Sequence, residues 1–171
     1  VSGGAADAPS GAPPASRTAW IVGTSGQAIG QASFTQAAQG VLIRLEFAEG
    51  ALPAGWHGAH LHQVGDCSDS AAGFAASGPH IGAHSDTRHG LLEPRGPEAG
   101  DLPNLFATAT GTFGAEFIAT RVHMGESVIP RASYALERLP LLDRDGSALI
   151  IHAAPDDQVS QPIGGAGARI A

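Results

Sequence analysis

The feature that most constrains the fold is a two-residue alternation in residues 41–47, VLIRLEF. The odd positions carry Val, Ile, Leu and Phe, and the even positions carry Leu, Arg and Glu. Successive side chains of a strand point to opposite faces of a sheet, so this pattern predicts a half-buried antiparallel strand whose odd-numbered side chains lie in a core.

Further segments of similar character lie on both sides of this one, with Gly, Pro, Ser and Asp turn signals between them. The predicted strands are residues 19–24, 27–35, 56–64, 104–110, 116–123 and 148–153, and residues 168–171 are a candidate for one more. The chain of 171 residues contains 24 Gly and 12 Pro, a composition that favours short strands and turns over long helices. Seven or eight short strands predict a β-sandwich or barrel.

Two long intervals, residues 65–100 and 154–167, lack this periodicity. Loops of such length inside a compact domain are usually functional or disordered. Four of the eight histidines flank or lie in the first interval, which favours function. Residues 127–142 carry a weak helical pattern, which we interpret as a loop with one short turn.

The charge of the chain excludes some partners. Its formal charge is −7, from 16 acidic residues and 9 basic ones, all of them Arg. Nucleic acids and anionic membrane surfaces bind basic patches, so neither is an expected partner, and no apolar run is long enough for a membrane span. Residues 1–16 are rich in Gly, Ala, Pro and Ser and predict a disordered spacer before a domain of residues 17–171. A spacer of this kind favours an exported protein, periplasmic or with a lipid anchor before processing.

The histidines predict a metal site. His60 and His62 are two residues apart on a predicted strand, so their imidazoles lie on one face. His152 ends another predicted strand, and His80 and His89 lie in the first long interval. Each of these histidines alone has an ordinary structural explanation, but together they favour a nitrogen-rich site for copper or zinc.

Five motifs then make the pattern specific. They are HGAHLH at 57–62 with GDC at 65–67, SGPH at 77–80, GPEAGDLPN at 96–104, LIIH at 149–152 followed by Asp156 and Asp157, and GAGARIA at 165–171. In this order they resemble the copper/zinc superoxide dismutase family over residues 18–171. The resemblance implies an eight-stranded antiparallel Greek-key β-sandwich or barrel with two long functional loops.

The resemblance also implies the roles of individual residues. Copper would be bound by His60, His62, His80 and His152, and zinc by His80, His89 and Asp101. His80 would bridge the two metals as an imidazolate. Asp156 would orient ligands of both metals through their outer nitrogens. Arg169 would attract superoxide, and with His80 it would serve the conversion of superoxide to oxygen and hydrogen peroxide by copper redox cycling.

The chain departs from the family pattern at two places. Glu98 stands where the family has a zinc-binding histidine. Either Glu98 binds zinc, or His84 replaces the lost ligand, or zinc binds poorly or not at all. The family also pairs the cysteine at Cys67 with a cysteine expected just after Ala171, so we expect Cys67 to be a free thiol or an intermolecular disulfide in this chain. Outside the motif ligands, His57 is expected to be structural and His123 to lie on the surface.

The leading functional hypothesis is therefore a superoxide dismutase, a copper-dependent oxidoreductase. One alternative is a dismutase-like domain that binds or stores copper with little turnover. Another is a copper-only dismutase with a degraded zinc site. A homodimer is compatible with the sequence.

Overall fold

A four-stranded antiparallel sheet carries the alternating segment in the computed structural model, which describes residues 14–84, 86–126 and 137–171. The described residues form ten strands. They are β1 Ser16–Val22, β2 Ala28–Ala37, β3 Gly40–Phe47, β4 Gly55–His57, β5 Ala59–His62, β6 Leu105–Ala107, β7 Phe113–Ala119, β8 Val122–His123, β9 Leu139–Pro140 and β10 Ala148–Ile151. The large sheet has the order β1-β2-β3-β7, and the prediction of an antiparallel all-β fold is confirmed.

The remaining strands pair two by two. β5 pairs with β10 and β4 pairs with β6, both antiparallel, while the two-residue strands β8 and β9 run parallel. The first long loop runs from β5 to β6 and the second follows β10, so these strands of the second layer position the histidines at the loop ends.

The core lies between these layers. In β3 the odd-numbered side chains are buried and the even-numbered ones are exposed, which confirms the alternation in residues 41–47. Ile43 and Leu45 share one hydrophobic cluster with Leu61 of β5, Leu105 of β6 and Ile151 of β10. Burial of these side chains removes a continuous apolar surface from water and holds the second layer against the sheet.

Two predicted strands are each divided in the structure. Residues 56–64 form β4 and β5, with Gly58 between them, and residues 116–123 form β7 and β8 on either side of Thr120 and Arg121. Period-two reasoning treats each segment as one strand, because it averages over a window and gives little weight to a single Gly58 or to the short polar pair Thr120 and Arg121. The predicted last strand lies beside β10 through backbone hydrogen bonds, but only the His152–Arg169 pair counts as a bridge.

The prediction for His123 is wrong. Its side chain is buried, because it lies in β8 and pairs with Pro140 of β9, and its Nδ1 accepts a hydrogen bond from the backbone N–H of Gly125. Two 3₁₀ turns, Ser70–Ala72 and Ala75–Ser77, are the helical segments of the described residues, and no helix there has the length and apolarity of a membrane span.

Two predictions fall largely outside the described residues. The spacer of residues 1–16 concerns mainly residues 1–13, and β1 already begins at Ser16. Most of the weak helical pattern in residues 127–142 concerns residues 127–136; of the remainder, Leu139–Pro140 is β9.

Candidate metal centre

Strand β5 is the scaffold of the site. All four of its residues are buried, because Leu61 points into the hydrophobic core and the opposite face, which carries His60 and His62, is covered by the long loops. One edge of β5 pairs with β10, which places Ile150 opposite His60. The other edge takes two bridges from the first long loop, His62 with His80 and His60 with Asp101.

Four imidazoles meet on the covered face of β5. His60, His62, His80 and His152 are each less than 5% exposed, and one ring nitrogen from each lies within 4.8 Å of the others. Their rings are close together, with centroids 4.2 Å apart for His60 and His80 and 4.8 Å apart for His60 and His152. The chain therefore concentrates four nitrogen ligands at one point.

The inner nitrogens of this group have no hydrogen-bond partner in the protein. They are His60 Nδ1, His62 Nε2, His80 Nε2 and His152 Nε2. Buried polar atoms in native proteins almost always have a partner, so four unsatisfied nitrogens at one point indicate a missing ligand. A metal ion that accepts imidazole nitrogen, such as copper, fits this arrangement.

The outer nitrogens fix the tautomers. His62 Nδ1 donates to the carbonyl oxygen of Gly78 at 2.7 Å, and His152 Nδ1 donates to that of Gly167 at 2.9 Å. His60 Nε2 donates to the Asp156 carboxylate at 2.7 Å. Because each outer nitrogen carries the proton, each inner nitrogen presents a lone pair to the centre of the group.

Burial keeps three of the four imidazoles neutral. It lowers the pKa of His62 to about 2 and that of His152 to about 4, since the charged form loses its hydration and the neighbouring cations repel it. Burial likewise lowers the pKa of His60, although the hydrogen bond with Asp156 acts in the opposite direction. Neutral imidazole is the form that binds a metal ion, so these groups need not lose a proton at neutral pH.

A second group shares His80 with the first. Ligand atoms of His80, His89, Glu98 and Asp101 lie within 4.8 Å of one another, and all four residues are buried. His80 Nδ1 is 2.7 Å from Glu98 Oε2 and 3.4 Å from Asp101 Oδ1. His89 Nδ1 is 2.8 Å from Asp101 Oδ1 and 3.9 Å from Glu98 Oε2. Two imidazoles and two carboxylates are a donor set that suits zinc.

Backbone groups hold Asp101 in this position. Its Oδ2 accepts hydrogen bonds from the N–H groups of Gly90 at 2.7 Å and Glu98 at 2.9 Å, which leaves Oδ1 directed at the two histidines. Burial raises the pKa of Asp101, but these bonds and the neighbouring imidazoles outweigh burial and hold the pKa below its usual range. Asp101 is therefore an anionic group available to a cation.

The second group is more basic than the first. Burial lowers the pKa of His89, but hydrogen bonds with Asp101 and Asp156 and their charges outweigh burial and raise the pKa to about 10. Burial also opposes protonation of His80, and its bonds with Asp101 and Glu98 again raise the pKa. In the metal-free protein, the imidazoles of His80 and His89 therefore tend to hold an extra proton, and a metal ion that binds them must displace it.

Asp156 is a second link between the two groups. Its carboxylate accepts from His60 Nε2 and also lies 3.1 Å from His89 Nε2. The backbone N–H of Gln158 at 2.6 Å and the side chain of Asn104, which bonds both backbone groups of Asp156, hold it in place. Asp156 thus contacts the outer nitrogen of His60, a predicted copper ligand, and the outer nitrogen of His89, a predicted zinc ligand.

Arg169 lies beside the four imidazoles and is firmly anchored. Its Nη1 donates to the Phe74 carbonyl oxygen and to Ser77 Oγ, and its Nη2 donates to the Gly78 carbonyl oxygen at 3.0 Å. Together with His62, His80 and His152 it lines a pocket of about 260 Å³. A fixed cation therefore stands in the pocket that adjoins the first group.

One predicted candidate is not brought to the site. His84 is exposed and belongs to neither group of ligand atoms, whereas Glu98 is buried within the second group. His57 is buried, and its ring nitrogens bond the carbonyl oxygens of His152 and Pro53 at 2.7 Å each, a structural arrangement as expected.

Comparison with known proteins agrees with this geometry. The family model for copper/zinc superoxide dismutase matches residues 28–171. The chain belongs to the copper/zinc superoxide dismutase family. A Cu-Zn superoxide dismutase of Caulobacter vibrioides is 43% identical over 91% of this chain and 83% of its own length. One from Aquifex aeolicus is 34% identical over 88% and 81%, respectively.

Solved structures extend the likeness to the fold. A SOD-like protein from Bacillus subtilis is 30% identical, with a TM-score of 0.75 over 90% of this chain and 93% of that one. Membership of the family confirms the prediction of a superoxide dismutase, an oxidoreductase of a family that uses copper and zinc. The alternatives of a storage domain or a copper-only enzyme are not favoured.

Sequence reasoning missed the groups that hold the ligands. The carbonyl oxygens of Gly78 and Gly167 fix two tautomers, and Asn104 and Gly164 position Asp156. Backbone carbonyls leave no signal in a sequence. Asn104 stands in the GPEAGDLPN motif, so its place there was the one available signal.

Gly164 offers a test of how tightly Asp156 is held. A Cβ at Gly164 would collide with the Asp156 carboxylate, whereas one at Gly165 would meet no atom within 4 Å, and both residues have positive φ, +59° and +70°. Gly164→Ala should lower the free energy of unfolding of the metal-free protein by about 1–3 kcal/mol more than Gly165→Ala, because both carry the same backbone strain and only the first displaces Asp156. Denaturant titration measures the difference, and equal losses would mean that Asp156 can move freely.

Proposed function

We propose that His60, His62, His80 and His152 hold the copper of this superoxide dismutase, and that His80, His89, Glu98 and Asp101 hold the zinc. The observation that carries the proposal is the convergence of four buried ring nitrogens without a protein partner. Bound copper supplies the one-electron oxidation and reduction that dismutation of superoxide requires.

His80 is the residue best suited to move a proton. Its Nε2 belongs to the first group, while its Nδ1 contacts the carboxylates of Glu98 and Asp101, which favour the charged ring. It is also one of the residues that line the pocket. Peroxide formation consumes protons, and an imidazole at this position can hold one at Nε2 and deliver it to a reduced substrate.

Arg169 draws the anionic substrate to the pocket. The chain carries a formal charge of −7, which repels superoxide at long range. A cation in the pocket therefore has a large effect on how often superoxide reaches it. Three hydrogen bonds hold the guanidinium in place and leave little conformational freedom to lose when an anion binds. His80 and Arg169 are thus the two groups of the chain that act on the substrate.

Glu98 takes the position of the missing zinc histidine. It is buried and its Oε2 lies 2.7 Å from His80 Nδ1, whereas His84 is exposed and belongs to neither group of ligand atoms. Carboxylate oxygen is an accepted zinc ligand at about 2.0–2.2 Å. We infer from this that the zinc site is retained with an altered donor set.

The proposed location is the periplasm, with export before maturation. Support comes from bacterial Cu-Zn relatives, from an extracellular dismutase of Haemonchus contortus that is 30% identical over 77% of this chain, and from the composition of residues 1–16. The homodimer stays a prediction.

Loss of one copper ligand should abolish activity without unfolding the protein. His152→Ala removes one of the four inner nitrogens, so copper affinity should fall by more than about 100-fold, beyond the about 10–100-fold loss typical of outer hydrogen-bond partners. His84→Ala is the matched control and should keep both copper and activity. Copper content, superoxide decay and circular dichroism measure these effects. Undiminished activity of His152→Ala at the same copper content would remove His152 from the site.

Loss of the Glu98 carboxylate should weaken zinc binding. Glu98→Gln keeps the shape of the side chain and removes its charge, so zinc affinity should fall about tenfold or more. His84→Gln should leave zinc affinity unchanged. Competition with a chelator of known affinity measures both. A loss of zinc affinity in His84→Gln but not in Glu98→Gln would mean that His84, and not Glu98, is the fourth zinc ligand.

Arg169 should act on the rate of capture. Arg169→Ala should lower dismutation about tenfold at low salt and flatten its dependence on ionic strength, because the local attraction that salt screens is gone. Arg169→Lys keeps the charge and should keep most of the salt dependence. Stopped-flow decay of superoxide at several ionic strengths, with copper content matched, gives the comparison. An Arg169→Ala protein with wild-type rate and salt dependence would contradict this role.

A further inference from the structure

Arg121 connects the second strand layer to the segment that carries Glu98. It lies in the two-residue turn between β7 and β8 and is partly buried. Its Nη1 donates a hydrogen bond of 2.5 Å to the carbonyl oxygen of Pro97, the residue directly before Glu98. Any shift of this guanidinium therefore acts on the backbone of Glu98.

The charge of Arg121 also acts on the second ligand group. Burial lowers the pKa of Arg121, and the charges of Asp101 and of the exposed Glu137 act in the opposite direction. A partly buried arginine costs hydration energy, which a nearby carboxylate offsets. Arg121 thus combines a backbone contact to the Glu98 segment with an electrostatic interaction with Asp101.

The second group carries one more negative charge than it would with a histidine at position 98. A histidine at position 98 would be a neutral ligand, whereas Glu98 adds a second carboxylate beside Asp101. Two anionic ligands in a buried site repel each other and favour a cation nearby. Arg169 lies by the first group, where its charge lowers the pKa values of His62 and His152.

We propose that Arg121 is a positioning residue that makes Glu98 effective as a zinc ligand. It fixes the backbone before Glu98 through the Pro97 carbonyl oxygen. Its positive charge, which acts on Asp101, compensates for part of the negative charge that Glu98 adds to the group. The inference rests on the proposed zinc site. It predicts that Arg121 matters much more to zinc affinity while position 98 carries a negative charge than when a histidine stands there.

A double-mutant cycle tests this coupling. Zinc affinity is measured by chelator competition on the full copper-loaded chain, for Arg121→Gln in the wild-type and in the Glu98→His background. We expect a loss of about tenfold or more in the first and less than about threefold in the second, a coupling of ordinary size for residues in one network. Arg95→Gln, which removes an exposed arginine from the same loop, is the matched control and should change zinc affinity less than about threefold in both backgrounds.

Equal losses in the two backgrounds would overturn the proposal, because Arg121 would then only anchor the loop. No loss in either would overturn it as well. Arg121→Lys preserves the charge and should stay within about threefold of wild type, so a tenfold loss in this variant contradicts the proposal even if Arg121→Gln fails to fold. Failure of the wild-type chain to bind zinc would instead overturn the proposed zinc site, and this result is seen before any variant is compared.

Discussion

The outer hydrogen bonds of three imidazoles are the interaction on which the site depends. The carbonyl oxygens of Gly78 and Gly167 and the carboxylate of Asp156 are the acceptors. Each accepts a hydrogen bond from the outer ring N–H of one histidine. The inner nitrogens therefore carry lone pairs, and these lone pairs face one another. Buried lone pairs without partners raise the free energy of the metal-free folded state, and a bound metal ion removes this cost.

His80 and Asp156 join the two ligand groups into one unit. His80 presents one ring nitrogen to each group, and Asp156 contacts His60 of the first and His89 of the second. A change at one group therefore reaches the other through a ring or a carboxylate that cannot turn without breaking a contact. The arrangement explains how Glu98, which lies in the second group only, can affect the ring that we propose to deliver the proton.

Much of the fold could be predicted from the sequence, and so could the residues that form the two candidate ligand groups. Alternation in residues 41–47 predicted β3 and its buried face. The residues that the family resemblance implied as ligands, together with Glu98, are those that the structure gathers in two groups. The breaks at Gly58 and Thr120 escaped prediction, because a window of alternating residues gives little weight to one glycine or to a short polar pair. His123 was misplaced because a lone histidine carries no signal of its burial. Arg121 escaped notice because its contact is with a backbone oxygen 24 residues away in the chain.

Anomalous X-ray scattering from crystals of the metal-loaded protein can test directly where copper and zinc are bound. Data collected at the copper and zinc absorption edges locate each metal separately. We expect a copper peak among His60 Nδ1, His62 Nε2, His80 Nε2 and His152 Nε2, and a zinc peak among His80 Nδ1, His89 Nδ1, Glu98 and Asp101. Copper located away from the four inner nitrogens, with those nitrogens still without a partner, would contradict it.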